Sequence, residues 1–190
     1  MPNVDSATGV TPVRYLSGAP YNGAVNRYCV PATDGDAIYI GSLVKLAGSA
    51  DADGVPTVAV VAATGSLTIG PVVSVEPVTA DSLIYRAAST LRYVYVADDP
   101  NLVFSVQCNG TLTATMIGNV CDLSAATTGT TATGRSLTEA LLSAVSASGD
   151  GTEDFLIVRA SPRVGNEVGA DARIWVRLNN HSYVDAAAGQ

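Results

Sequence analysis

The sequence predicts an all-β protein, a β-sandwich or barrel preceded by an extended N-terminal arm and carrying at most one or two short helices. Three observations carry this. Gly, Pro and Asp turns recur throughout, at intervals that leave room for about ten short strands spaced roughly 8–12 residues apart. The segments between those turns are rich in Val, Ile, Thr and Tyr, which suit a pleated, half-buried surface. Only one segment, Ser136 to Ser146, has a helix signature, and so few helices could not cover a parallel sheet.

Met1 to Gly23 contains Pro2, Pro12 and Pro20 with Gly9, Gly18 and Gly23, spaced so that no helix and no long central strand can form. It is expected to be an extended arm, with a short strand around Val13, Tyr15 and Leu16. Two readings stay open for it, an arm laid on a neighbouring subunit and a frayed terminus. Residues 24–190 are expected to form a single β-rich domain.

Tyr28 to Ala32 reads as a short strand stopped by Pro31 and the turn Thr33-Asp34-Gly35. Ala37 to Leu46 is a strand pair or a bulged strand, with Gly41 at the bend. The acidic turn Asp51-Ala52-Asp53-Gly54 leads into Val55 to Ala63, and Leu67 to Ile69 and Val72 to Val78 follow. From Leu91, Tyr93, Tyr95 and Ala97 alternate with Arg92, Val94 and Val96, a strand covered on both faces that ends at the turn Asp98-Asp99-Pro100.

Leu102 to Cys108 alternates as a half-buried strand. Asn109 to Val120 holds one short helical turn or a loop. Ala125 to Gly134 is low-complexity Thr, Ala and Gly and reads as a surface loop. Ser136 to Ser146 has the capping-box spacing Ser136-x-x-Glu139, although Leu141 and Leu142 fit a β-edge equally well. Gly149-Asp150-Gly151 then turns the chain into Phe155 to Ala160, and Asp171 to Leu178 makes a last strand carrying the sole tryptophan, Trp175.

Composition narrows the function classes. Charged residues are 14% of the chain against about 25% in typical soluble domains, so its small polar surface suits packing against other protein. A net charge of −7, one lysine (Lys45) and arginines scattered along the sequence argue against phosphate-backbone binding and hence against a nucleic-acid partner. The first residues lack a secretory pattern and no apolar run reaches membrane-span length, so a soluble protein made in the cytoplasm, with no membrane partner, is expected. Cys29, Cys108 and Cys121 are odd in number and lack C-x-x-C spacing, which favours buried thiols over disulfides or zinc.

No catalytic set emerges. His181, the single histidine, has no sequence-matched nucleophile or orienting acid. Asp98 with Asp99, and Glu153 with Asp154, are neighbours that a strand would point to opposite faces. The Asp51 to Gly54 turn resembles the start of a calcium loop but lacks its distal acid, so a hairpin turn accounts for it better than a metal site. Arg14-Tyr15, Arg27-Tyr28 and Arg92-Tyr93 could stack bases, but arginine stems lying over cross-strand tyrosines explain them without a ligand.

Several blocks together resemble the capsid decoration, or cement, proteins of tailed bacteriophages. They are Tyr15 to Gly23, Tyr39 to Leu46 with Gly48 to Asp51, Tyr85 to Thr90 through Pro100, and Asn166 to Gly169 with Val176 to His181. The likeness lies in their order and spacing, and it is weakest over Ala125 to Gly151. It implies a jelly-roll-like or tulip-like β-sandwich or barrel with no cofactor, no metal and no catalytic residue. The implied place is the outer capsid surface of the virion, with the major capsid protein and copies of itself, as a dimer or trimer at capsid symmetry axes, as partners. For the contacts, Tyr15, Tyr21, Asn22 and Tyr28 are the expected residues, since tyrosines are favoured interface anchors. The rival reading is a carbohydrate- or receptor-binding β module that presents Trp175 and exposed tyrosines to a sugar.

Overall fold

Residues 3–124, 127–147 and 151–184 are described in the computed structural model; the two ends of the chain, part of the Ala125–Gly134 loop and most of the Gly149–Gly151 turn lie outside them. Strand makes up 45% and helix 2%, so the molecule is held by ladders, as the turn spacing predicts. The arm supplies β1 (Thr11–Tyr15). Next come β2 (Asn26–Val30), β3 (Leu43–Ala50), β4 (Pro56–Val60), β5 (Gly70–Val75) and β6 (Arg92–Val96), which close into a five-stranded barrel in the order β2-β4-β3-β5-β6.

Then follow β7 (Leu102–Asn109), β8 (Val120–Ser124), the two-residue strands β9 (Gly129–Thr130) and β10 (Arg135–Ser136), β11 (Glu139–Ser146), β12 (Phe155–Ala160) and β13 (Arg173–Leu178). Five of these form the order β7-β11-β8-β12-β13, and β13 pairs back onto β7 to close a second barrel. Residues 24–190 therefore hold two barrels, joined by the short connection from β6 to β7.

The two barrels have the same connectivity. In each, the first strand lies parallel to the third, through Cys29 opposite Thr57 and Cys108 opposite Ala140. Every other neighbour is antiparallel, and the third strand pairs with the second, the second with the fourth, the fourth with the fifth and the fifth with the first. Isolated bridges recur at matching places, Ile38 with Arg86 and Thr111 with Ala170. Among the described residues, the two non-glycine residues with positive φ, Ser89 at 55° and Asp171 at 53°, each lie just ahead of a fifth strand.

Set in register on Ser89 and Asp171, buried Val94 and Val96 match buried Val176 and Leu178, while Tyr93 matches Trp175 on the outside. Alternation of inward and outward side chains gives both strands one buried face, with the Tyr93 and Trp175 rings on the other. Arg27 lies 3.5 Å over the Tyr93 ring, and Tyr93 and Tyr95 donate their hydroxyls to Asp51 and Glu76. The cross-strand packing of arginine on tyrosine is thus present on the first barrel.

Each barrel has its own core. Tyr28, Val30, Ile38, Val44, Val58, Ile69, Val72, Val94 and Val96 fill the first. Phe104, Val106, Cys108, Cys121, Phe155, Ile157, Ile174 and Val176 fill the second, and Val10, Leu43, Val61 and Ala97 extend that cluster to the junction. At about 25 cal/mol per Å² of apolar surface removed from water, burial on this scale is the main favourable term. Arg86 is the exception inside the first barrel: fully buried, it donates to Asp34 Oδ1 at 2.9 Å and to the carbonyls of Pro31, Asp34, Asp36 and Thr90.

Ser136 to Ser146 resolves as strand. Ala140 and Leu142 are buried while Ser143 is exposed, so the two-residue period wins over the capping-box spacing. Ser136 Oγ instead accepts from the Thr138 N–H within its own turn. Asn109 to Val120 contains a single 3-10 turn at Ala114–Met116. Ala125 to Gly134, read as a plain loop, carries β9 and leads into β10.

Candidate partner-contact surface

The arm is tied to its own chain. β1 runs antiparallel to the first half of β7, pairing Thr11 with Ser105 and Tyr15 with Leu102 around a bulge at Pro12 to Arg14. Ahead of it, Asn3 donates to the Glu167 and Ala170 carbonyls and Val10 enters the core at 1% exposure. Gly9 and Gly41 touch: a Cβ on Gly9 would fall 2.8 Å from the Gly41 carbonyl oxygen, which accepts the Val10 N–H at 2.9 Å. Both glycines have positive φ, so the arm's seat at the junction depends on them.

Beyond β1 the chain reverses into an exposed tongue. The Tyr15 N–H donates to Ala19 O, Gly18 N–H to Tyr15 O and Tyr21 N–H to Val13 O. Asn22 Oδ1 accepts from the Tyr15 hydroxyl at 3.2 Å and from the Ala24 N–H at 3.1 Å, and the Tyr21 hydroxyl donates to Ala24 O. Tyr15, Tyr21 and Asn22 therefore meet in one ordered turn whose tip, Leu16 to Ala19, is exposed. Burial pushes the Tyr21 hydroxyl's pKa up, so it stays a neutral donor.

Tyr28 lies elsewhere. It is 3% exposed in the first core, with its hydroxyl 2.6 Å from both Asp98 Oδ2 and the Tyr183 hydroxyl, so its ring has no area to offer a partner. Asn26 also donates to both Asp98 oxygens. Burial and the hydrogen bond to Asp98 raise the Tyr28 pKa and keep it protonated. Asp98 is thereby part of a buried network as well as the start of the turn that ends β6.

Beside the tongue, the outer face of β13 presents Trp175. The guanidinium carbons of Arg14 and Arg159 lie 5.6 and 5.4 Å from its ring, within cation–π range. With Leu16, Val103 and Val158 these side chains line a shallow hollow of about 210 Å³. Leu16 is 46% exposed at its rim. Arg173 and Arg177 share the outer face of β13 with Trp175, and Arg163 and Arg135 lie on the neighbouring turn and hairpin.

Five of the ten basic residues, Arg14, Arg159, Arg163, Arg173 and Arg177, thus belong to the second barrel and the strand laid on it, with Arg135 on the β9–β10 hairpin nearby, in a chain of net charge −7. The arginines that looked scattered in sequence converge in space. The available signal was the spacing of Arg159, Arg163, Arg173 and Arg177, all within a short C-terminal stretch.

The residues weighed for chemistry serve the fold. His181 is buried in a bridge with Thr68, and its Nδ1 accepts the Tyr183 N–H at 3.2 Å. Asp154 is 1% exposed and accepts the Gly65 and Leu123 N–H groups at 3.2 and 3.0 Å; burial pushes its pKa up to about 6. Asp51 accepts from the Tyr93 hydroxyl on β6 and from the Val55 and Asp53 N–H groups of its own hairpin turn, which hold its pKa down. Cys29, Cys108 and Cys121 are buried free thiols, with Cys108 pushed up to about 12 by desolvation. Among the described residues, no three of His, Cys, Asp and Glu converge as metal ligands. The chain matches no protein family, no curated protein and no solved structure.

Proposed function

We propose that this chain is a non-enzymatic structural protein of a tailed-phage virion. It binds the outer face of the assembled capsid and stabilises contacts between major capsid protein subunits, alongside further copies of itself. One observation carries the reading: the tongue from Leu16 to Gly23 and the adjacent Trp175 hollow form a continuous outward surface of aromatic, arginine and small side chains. Aromatic and arginine side chains are the groups enriched in protein interfaces. A ligand that binds only the assembled lattice adds its binding free energy to the lattice's stability.

The test is co-sedimentation of the purified protein with mature capsids of its parent phage, set against unassembled capsid protein. Binding to the assembled shell alone, weakened at least about tenfold by Leu16→Asp together with Tyr21→Ala, is the expected result. No binding to mature capsids, or undiminished binding by the double variant, overturns it. Deleting the whole arm is a poorer probe, because β1 and Val10 also complete the second barrel.

The hollow at Trp175 favours one second reading, a carbohydrate-binding module on a virion surface. Reproducible glycan-array hits abolished by Trp175→Ala would establish it in place of the capsid contact.

A further inference from the structure

The second barrel has another concave feature, on the far side of β1 from the tongue. Arg135 from β10, Arg163 from the turn after β12 and Arg173 at the start of β13 line a cleft of about 450 Å³. The rest of its lining is serine and threonine, including Thr11, Ser105 and Ser161. No carboxylate lines it; Asp171 borders the adjoining hollow that shares Arg163 and Arg173.

These arginines lack counter-ions. Among the described residues none of the three is in an ion pair, whereas Arg27 and Arg86 are paired with Glu76 and Asp34. Arg173 is fixed in place, since its Nη2 donates to Ser6 O at 2.7 Å and to Thr8 Oγ1 at 3.1 Å. Burial and the nearby Arg163 charge lower its pKa. Arg135 and Arg163 are exposed, and no side-chain hydrogen bond occupies either guanidinium among the described residues.

We propose that this cleft binds a phosphate or sulfate group. Guanidinium forks match the paired oxygens of such anions, and hydroxyls supply further donors at the same wall. One fixed arginine and two free ones suit such binding, because Arg173 sets the position while Arg135 and Arg163 close on the anion as it arrives. The anion could be free in solution or an ester on a polymer, and the chemistry of recognition is the same. The net charge of −7 argues against a long polyanion laid along the surface, so the carrier is a single anion or a short segment that the cleft alone engages.

Titration calorimetry at constant ionic strength in sodium chloride tests this with three probes: sodium phosphate, sodium sulfate and a heparin-derived oligosaccharide. The variants are Arg135→Ala with Arg163→Ala, and Lys45→Ala on the first barrel as a control. Saturable binding weakened at least about tenfold by the double variant and unchanged by the control supports the site. Binding of the inorganic ions assigns a free anion, and binding of the oligosaccharide alone assigns an ester on a polymer. Heat indistinguishable from dilution for all three probes overturns the proposal, as does binding that the double variant retains or the control loses equally. Circular dichroism of the double variant shows whether the barrel is intact, and Arg135→Gln with Arg163→Gln replaces it if it is not.

Discussion

Asp154 should make the second barrel lose stability as the pH rises. Its carboxyl is enclosed by β8, β12 and the loop at Gly65, and burial lifts its pKa from 3.8 to about 6. A raised carboxyl pKa means that the folded state holds the proton more tightly than the unfolded chain. The group's contribution is therefore fully present below about pH 3.8 and is lost as the pH climbs through 6. At about 1.4 kcal/mol per unit, the shift corresponds to a loss of roughly 3 kcal/mol overall, of which about 2–3 kcal/mol falls between pH 4 and 7.5.

Asp154→Asn removes the titration while keeping the shape. It retains one acceptor for the two N–H groups, so it costs about 1–3 kcal/mol at acid pH, where the wild-type carboxyl is neutral. Urea unfolding followed by the fluorescence of Trp175, which lies on the same barrel, reads both effects. From pH 4 to 7.5 the difference in unfolding free energy between wild type and variant should move by about 2–3 kcal/mol in the variant's favour, to near zero or beyond. A difference that stays constant over that range would refute the argument, because every other carboxylate cancels in the subtraction.

Two further substitutions probe the first barrel. Tyr28→Phe removes the donor to buried Asp98 and the link to Tyr183, and should lower stability by about 1–3 kcal/mol in chemical denaturation; an unchanged midpoint would mean that Asp98 is satisfied without it. Arg86→Met leaves Asp34 and four carbonyls without their shared donor inside a protein interior, and should cost about 3–5 kcal/mol, enough that a variant melting with the wild type would show the buried pair to be dispensable.

Fold class and most strand positions were legible because turn chemistry is local. Asp51 to Gly54 caps the β3–β4 hairpin with hydrogen bonds from its own backbone, and it would do so in any barrel. Ser136 to Ser146 was ambiguous for the opposite reason. Its capping-box spacing is local, but Ala140 pairs with Leu123 on one side and Cys108 on the other, partners far away in sequence. The repeat of the barrel topology was not legible, since the two barrels share backbone pairing and φ at Ser89 and Asp171, while their side chains differ. Of the residues expected at a partner contact, Tyr15, Tyr21 and Asn22 share a short stretch and come together in one turn. Tyr28 could not be told apart from them by sequence, because whether a strand tyrosine faces in or out depends on register.

The shared connectivity also separates what both barrels have from what only one has. Both barrels carry an aromatic ring at the same outward position with arginine over it, Tyr93 under Arg27 and Trp175 near Arg14 and Arg159. On the first barrel that arginine is neutralised by Glu76 at 2.7 Å, and Tyr93 is tied to Asp51, so the position is closed within the chain. On the second, neither Arg14 nor Arg159 has a carboxylate partner among the described residues, and the ring borders an open hollow. The second barrel also carries the arm strand, which has no counterpart on the first, while the β9–β10 hairpin reaches back to bond with Ile40 beside the first barrel. Shared features are explained by the barrel itself; the features found on one copy only need another cause. The open hollow at Trp175, bordered by Arg14 and Arg159 with no carboxylate beside them among the described residues, is such a feature, and it is the physical reason to test that face first for a partner.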